Sequence, residues 1–147
     1  MARRVFFSFH YKHVWRVNQI RGIPNILGSS AAGFVDASLW EDSKAKGRST
    51  IERMIDRALD NTSVTVVCVT YGTVNREFIN YEIEQSLMRG NGLVAVQIHH
   101  LKDQHRQAGE PGRIPEQIAN HGFKAYKYTT QAALADWIEE AAIVAGR

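Results

Sequence analysis

The stretch VTVVCVTYGTVNREFINYEIEQSLM, residues 64–88, decides the fold. Its first seven residues form a continuous run of β-branched and apolar side chains, which is typical of a strand buried on both faces and therefore of a parallel sheet. Residues 76–89 then carry Ile79, Ile83 and Leu87 at helical spacing, and Asn75 is the predicted N-cap. A buried strand followed by an amphipathic helix is the repeating unit of an α/β fold.

Comparable strand patterns occur on both sides of this stretch. Residues 4–9 (RVFFSF) and 93–98 (LVAVQI) are apolar and β-branched, so they are predicted to be central strands. Residues 34–36 (FVD) and 123–128 (FKAYKY) are shorter and more polar, which favours strands nearer an edge of the sheet or strands covered on one face only. Together with residues 64–70 these segments make five predicted strands.

Helical patterns lie between the strands. Ser49-x-x-Glu52 is read as a capping box in front of a helix whose apolar positions are Ile51, Met54, Ile55, Ala58 and Leu59. A helix after the first strand is predicted from Val14, Val17 and Ile20. A last helix is predicted from Leu134, Trp137, Ile138 and Ala141, with Thr129 or Thr130 as its cap.

Strands that alternate with helices predict a flavodoxin-like, doubly wound domain: a mostly parallel five-stranded sheet with helices on both faces, joined by right-handed crossovers. The interpretation is one domain over residues 1–147. Residues 99–122 are rich in Gly, Pro and charge, and we expect a surface excursion there, with at most a short helix near 114–118.

The composition is that of an ordinary globular domain. Of the 147 residues, 44% are hydrophobic and 22% charged, which excludes collagens, disulfide scaffolds and disordered tails. No apolar run is long enough for a membrane span or a secretory signal, so a cytoplasmic protein is expected. Cys68 lies within an apolar strand pattern and is interpreted as a structural thiol.

The net charge of +3 is unevenly distributed. Residues 1–21 contain basic side chains and no acidic one. Such a segment is either a solvated basic face or a contact for phosphate groups, and without a dense basic stripe or a reading motif it does not favour nucleic acid.

Several common motifs are absent or misplaced. GNGLVA (90–95) has the letters of a dinucleotide fingerprint, but it follows a helix and precedes a strand, so no helix N-terminus would face a pyrophosphate. The predicted strand ends lack the acidic residues of a phosphoacceptor receiver, and no Walker loop, G-x-S-x-G elbow or H-E-x-x-H helix occurs. The histidines are scattered, and no metal site is predicted.

One carboxylate falls on the apolar side of its helix. At 100° per residue, Glu82 lies in the arc between Phe78 and Ile79, whereas Glu77 and Glu84 lie on the opposite side. A buried carboxylate needs either a cationic partner, such as Arg76 or a residue of the basic first helix, or a polar cleft. The helix starts just after a central strand, where ligands of open α/β sheets bind, and this favours the cleft.

These residues resemble a known family. VFFSF (5–9) as the first strand, T-x-x-R-x-F-I-x-x-E-I (73–83) opening the helix after the third strand, WRVNQIR (15–21) and FVDASL (34–39) are similar to the TIR-like domains of bacterial antiphage systems, specifically the Thoeris ThsB type. In TIR enzymes this helix carries a glutamate required for cleaving the nicotinamide bond of NAD, usually four residues after a Trp. Glu82 occupies the position of the glutamate, and Phe78 stands where the Trp would be.

The resemblance implies NAD as the substrate, no separate cofactor, and Glu82 as the catalytic residue. It places NAD across the carboxyl ends of the strands. Eight further residues are then candidate binding residues. Phe7 and Phe9 could stack on a flat ring, Ser8 and His10 could bond phosphate or ribose, and Asp36 and Trp40 follow the second strand. Arg76 is a candidate for the pyrophosphate, Phe78 forms an apolar wall, and Arg16 is a second candidate for the pyrophosphate. Each has an ordinary alternative, as a core aromatic, a loop polar group or an ion-pair partner of Glu82.

The implied function is an NAD-cleaving enzyme of antiphage defence that releases nicotinamide and makes a cyclic ADP-ribose-type signal. That diffusible product would activate a separate effector, a phage component would be the trigger, and self-association is common among TIR domains. Hydrolysis to ADP-ribose and cyclisation both remain open. Two non-catalytic alternatives are a TIR-like protein-interaction scaffold and a nucleotide-binding module.

Overall fold

The computed structural model describes residues 3–22, 26–30 and 43–147, with the backbone alone for 26–30. In these ranges strands alternate with helices in the order β1 (Arg3–Ser8), α1 (Val14–Asn18), β2 (Ile26–Ser30), α2 (Arg48–Leu59), β3 (Val64–Val69), α3 (Glu77–Met88), β4 (Gly92–Gln97), α4 (Glu116–Asn120), β5 (Ala125–Lys127) and α5 (Gln131–Val144). Short 3-10 turns, Tyr11–His13 and Thr73–Asn75, lead into α1 and α3.

The described strands form a five-stranded sheet in the order β2-β1-β3-β4-β5, and every neighbouring pair is parallel. This is the flavodoxin-like order, so the predicted fold class is confirmed. The apolar strands β1, β3 and β4 are central, and the short, polar β5 lies at an edge, as their sequences predict. The strand order reverses beside β1, which makes the carboxyl end of β1 a natural ligand-binding position.

The second strand differs from the prediction. The predicted segment 34–36 lies outside the described residues, and the strand that pairs with β1 is Ile26–Ser30, with Gly28 opposite Arg4. Its sequence, ILGSS, carries little β propensity because Gly and Ser are not strand formers. Pairing with the buried strand β1 outweighs this weak local preference.

Helices cover both faces of the sheet. One face packs Val17 of α1 and Leu134 and Ile138 of α5 against residues of β1, β3 and β4. The other face packs α2 against Phe6, and packs α3 and α4 against β3 and β4. Because side chains alternate along a strand, Phe7 points into the first layer and Phe6 and Ser8 towards the second.

Two of the predicted helix caps are wrong. Helix α2 begins at Arg48, so Ser49 lies inside its first turn, and Gly47 is the N-cap with φ of 102° and no side-chain bond. Asn75 belongs to the 3-10 turn before α3, so the N-cap position passes to Arg76, which also forms no side-chain cap bond. The predicted cap of the last helix is confirmed, because the Thr130 hydroxyl accepts a hydrogen bond from the Ala133 N–H at 3.1 Å.

The excursion that follows β4 folds back over the ends of β3 and β4. The Tyr71 N–H donates to Glu110 O at 3.0 Å and the Gly109 N–H to His99 O at 2.7 Å. A Cβ on Gly112 would lie 1.9 Å from Thr70 O, so only glycine allows this approach. The short helix predicted near 114–118 is α4, two residues further on.

The buried Arg16 anchors the excursion to α1. Its guanidinium donates to Leu101 O at 2.8 Å and Gln107 O at 3.1 Å. This cation is therefore occupied by loop carbonyls and is not available to a pyrophosphate. None of the described helices has the length and apolar character that spanning a membrane requires.

Candidate active site

A cavity of about 250 Å³ lies at the carboxyl end of β1, beside the first turns of α3. Residues from three regions line it: Phe9, His10 and Tyr11 after β1, Lys44 and Ile55 on the α2 side, and Asn75, Arg76, Glu77, Phe78, Ile79 and Glu82 leading into and along α3. Its position is the reversal point of the strand order, where doubly wound sheets bind their ligands.

Glu82 faces this cavity from the second turn of α3. The residue is 3% exposed, as the helical pattern predicts for its arc, while Glu77 and Glu84 on the opposite side are exposed. Ser8 Oγ donates a hydrogen bond to Glu82 Oε1 at 2.7 Å. Oε2 accepts no hydrogen bond from the described residues, so it is the oxygen left for a ligand.

The carboxyl group has no cationic partner in the part of the chain that the structure describes. No Lys, Arg or His nitrogen of these residues lies within 4.0 Å of it, although six other ion pairs satisfy that distance. Ion pairing with Arg76 or with the basic first helix was the ordinary alternative for Glu82. Glu82 instead lines a cavity, which is the cleft alternative of the sequence analysis.

Burial without a cation changes the proton affinity of this group. Desolvation raises the pKa of Glu82 to about 8, and the Ser8 hydrogen bond opposes part of that rise. The carboxyl is therefore mostly protonated near neutral pH when no cationic ligand is bound in the cavity. A positively charged ligand beside Oε2 would favour the ionised form, because opposite charges attract strongly at a desolvated site.

Two of the predicted ligand-binding side chains lie elsewhere. Phe7 is fully buried in the core on the opposite face of the sheet, among Val17, Leu134 and their neighbours, and it does not line the cavity. Ser8 is also fully buried, and its hydroxyl is directed at Glu82. Asp36 and Trp40 lie outside the described residues.

The remaining predicted residues, Phe9, His10, Arg76 and Phe78, line the cavity together with Glu82. The Phe78 ring packs beside Phe6 and Ile55 and forms an apolar wall, and the Arg48 guanidinium lies 5.8 Å from its centroid. The Arg76 guanidinium makes no ion pair or hydrogen bond to a described residue. The site thus brings a cation and a carboxyl group to the same cavity.

His10 is uncharged at neutral pH. Burial, and after it the charge of Arg76, lowers the pKa of His10 to about 4. The His10 Nδ1 accepts a hydrogen bond from the Lys12 N–H at 3.3 Å, which assigns the ring proton to Nε2. His13 next to it is also neutral, since burial and Arg16 lower its pKa to about 4. Neither ring competes with Arg76 for an anionic group.

The sequence pattern missed several lining residues. Tyr11 follows His10 directly, and the rule that ligands bind beyond strand ends would have identified it. Lys44 belongs to no predicted element, and the helical spacing predicts Ile55 to be an ordinary core residue of α2. No local signal distinguishes these two from other surface and core residues.

The arrangement suits a flat, cationic ring attached to a sugar and a phosphate. Aromatic side chains can stack on a flat ring, a guanidinium such as that of Arg76 can donate hydrogen bonds to a phosphate, and a carboxylate can accept them from hydroxyls and stabilise positive charge at a sugar. No cluster of three or more His, Cys, Asp or Glu side chains with metal-binding geometry occurs among the described residues.

The chain is similar to known proteins. Residues 6–103 match the family described as "Thoeris protein ThsB, TIR-like domain". The chain is 39% identical over 143 residues to a Bacillus cereus (strain MSX-D12) protein named "Putative cyclic ADP-D-ribose synthase ThsB1", and the match covers 93% of this chain and 72% of that protein. With its parallel sheet in flavodoxin-like order, the chain belongs to the family of ThsB TIR-like domains of the Thoeris system.

Proposed function

We propose that the protein cleaves NAD at the bond between nicotinamide and ribose and converts the rest of the molecule into a cyclic ADP-ribose-type signal. The observation that carries the proposal is Glu82, a buried carboxyl group that faces the cavity at the end of β1 and has no cationic partner among the described residues. The name of the 39% identical relative supports the same reaction class.

In the proposed complex the nicotinamide end of NAD enters beside Phe78 and Phe9, and Arg76 binds the pyrophosphate. The positive nicotinamide ring favours ionisation of Glu82, whose Oε2 accepts a hydrogen bond from a ribose hydroxyl. Both effects place negative charge next to the carbon whose bond will break.

The chemistry follows from that charge. The electron pair of the C1′–N bond leaves with nicotinamide, which becomes neutral, and positive charge develops on C1′ and the ring oxygen of the ribose. Glu82 stabilises this oxocarbenium-like transition state. A hydroxyl or amine of the same ADP-ribose then attacks C1′ and loses its proton, which yields the cyclic product. Attack by water would give ADP-ribose instead, so cyclisation needs water to be excluded.

The product would act on a separate effector, and a phage component would trigger its synthesis. The test incubates NAD with protein purified from phage-challenged and from unchallenged cells, and follows nicotinamide by chromatography and the second product by mass spectrometry. We expect nicotinamide and a product with the mass of ADP-ribose minus water. No nicotinamide from either preparation would refute the proposal.

Glu82→Gln is the matched variant for the catalytic residue. It keeps the size of the side chain and its hydrogen-bonding capacity but removes the charge, so nicotinamide release should fall by at least 100-fold. Glu84→Gln, an exposed position on the same helix, is the control and should not change the rate. Release by Glu82→Gln at the rate of the parent protein would eliminate the proposed role.

A further inference from the structure

We propose that Ser8 is the positioning residue of Glu82: its buried hydroxyl holds Oε1 at 2.7 Å from behind and so directs Oε2 into the cavity. The part of this inference that concerns catalysis rests on the proposed function. The part that concerns the carboxyl group can be tested without any substrate.

The geometry separates Ser8 from the ligand. Ser8 is the last residue of β1, it is fully buried, and it does not line the cavity, whereas Phe9, His10 and Tyr11 directly after it do. A hydroxyl has one proton to donate, and here that proton points at a carboxylate oxygen. Ser8 therefore touches the catalytic group and not the substrate.

A second serine fixes the backbone of the same residue. Ser86 Oγ, one turn further along α3, lies 2.7 Å from Glu82 O and 2.7 Å from Thr65 Oγ1 of β3. Asn91 Nδ2 lies 3.5 Å from Thr65 Oγ1, so this chain of buried polar groups extends along the contact between α3 and β3. Glu82 is thus held at its main chain from β3 and at its side chain from β1, which leaves its Oε2 with one defined direction.

The same hydrogen bond adjusts the proton affinity of the carboxyl group. Burial raises the pKa of Glu82 and Ser8 lowers it, because a donated hydrogen bond is stronger to the ionised form. Other titratable groups share the cavity: His10 and Tyr11 after β1, Lys44, and Arg76 and Glu77 at the start of α3. Cys68 of β3 is buried on the opposite face of the sheet. Among the described residues, Ser8 is the one that hydrogen-bonds the carboxyl, so its removal should have the most specific effect.

The experiment titrates Glu82 directly. Protein labelled with ¹³C at the glutamate carboxyl carbon is followed by NMR from pH 5 to 10, and the Glu82 signal is assigned by its absence from Glu82→Gln. We expect the midpoint of Ser8→Ala to lie about one pH unit above that of the parent protein. Ser8→Thr keeps the hydroxyl, so its titration midpoint should lie close to that of the parent protein.

Ser86→Ala is the matched control. It removes an equally buried hydroxyl that bonds the Glu82 main chain and not its carboxyl, so the midpoint should stay where it is. A Ser8→Ala midpoint that is unchanged or lower would overturn the inference. So would a shift of the same size in Ser86→Ala, because the effect would then follow from general loosening of the helix.

The role of Ser8 in catalysis is tested by measuring how kcat/KM depends on pH. In kcat/KM for nicotinamide release, the acid limb of Ser8→Ala should move upwards by the same interval as the NMR midpoint, so that activity falls about tenfold at pH 7 and recovers at high pH. A uniform loss at every pH would contradict a positioning role. If no variant cleaves NAD but the midpoint shifts, the proposed function fails while the pairing of Ser8 with Glu82 stands.

Discussion

At the scale of the residue, Glu82 links stability to pH. Its pKa in the folded protein, about 8, lies above the ordinary value of 4.5, so the folded state holds a proton that the unfolded state releases. The stabilising effect of that bound proton is fully present below pH 4.5 and is lost as the pH rises towards 8. The buried charge therefore costs stability at the alkaline end of the range.

Replacing this carboxyl group by a neutral amide should remove the loss of folding stability at high pH. We expect Glu82→Gln to have nearly the parent stability at pH 4.5 and to exceed it by about 2 to 4 kcal/mol at pH 8, since the amide needs no ionisation to accept the Ser8 proton. Urea denaturation at several pH values measures the difference. A variant less stable than the parent protein at pH 8 would mean that Glu82 has a cationic partner after all.

The same ionisation should control activity. Because the ionised carboxylate stabilises the transition state, kcat/KM for nicotinamide release is expected to rise with pH, with its midpoint at the Glu82 pKa of about 8, and to level off about one pH unit above it. Burial lowers the pKa of His10 to about 4, so this ring does not shape the profile between pH 6 and 9.5. A steady-state series from pH 6 to 9.5 tests the expectation, and a profile that is flat over these values would contradict it.

At the scale of the element, the excursion that follows β4 is positioned by α1. Arg16 is 6% exposed, and its guanidinium donates to two carbonyls of the excursion and lies 3.1 Å from His13 Nδ1. A planar group with several donors can satisfy these acceptors together, whereas an ammonium cannot reach the same set. Arg16 of α1 is thus one anchor of the excursion, together with Gln19 directly after this helix, whose Nε2 donates to Lys102 O at 2.7 Å.

Arg16→Lys is therefore expected to be far from conservative. It should destabilise the fold by about 2 kcal/mol, because at least one buried carbonyl loses its donor. Amide hydrogen exchange should become faster at residues 101–109 and stay unchanged in α5. Arg106→Lys, at an exposed position within the excursion, is the control. Equal protection of the excursion in both variants would show that Arg16 does not hold it.

The stability of helix α5 depends in part on its N-cap, Thr130. The Thr130 hydroxyl satisfies the Ala133 N–H in the first turn. Thr130→Ala should reduce stability by about 1 kcal/mol, and Thr130→Ser should retain most of it. Thermal unfolding of the two variants at one pH tests this, and identical melting temperatures for them would exclude a capping role.

At the scale of the whole molecule, the strand order and the excursion together decide which carboxyl strand ends of the described chain border the cavity. The reversal at β1 creates a cleft, and residues 109–112 occupy the ends of β3 and β4 instead. That closure requires the backbone of Gly112 to lie against Thr70. A side chain there would push the excursion away from the sheet and expose the carboxyl ends of β3 and β4.

Gly112→Ala tests this closure. We expect it to cost about 2 to 3 kcal/mol and to speed amide exchange at Tyr71, whose N–H bonds Glu110 O. Gly22→Ala is the matched control, since a Cβ there would lie 3.6 Å from Gln131 Nε2, an ordinary contact. If the two variants had equal stability, the close approach at Thr70 would not be a constraint on the fold.

Local patterns were sufficient for the fold class and for the central residue of the site. The apolar runs of β1, β3 and β4 and the helical spacing in α3 depend on near neighbours in the chain, so they can be read directly. The inward direction of Glu82 follows from the same spacing, and its burial confirms it. The second strand and the caps of α2 and α3 could not be predicted, because pairing with β1 and a 3-10 turn outweigh weak local preferences.

The sequence by itself determined that the protein is a doubly wound α/β domain with one carboxylate turned inward, because period and composition are properties of short stretches. Only the tertiary structure decided that Glu82 meets Ser8 instead of an arginine, that Arg16 holds a loop, and that Phe7 faces away from the cavity. Ser8 and Glu82 are 74 residues apart in the chain. Contacts over such distances arise when strands take their order in the sheet, and no local pattern records that order.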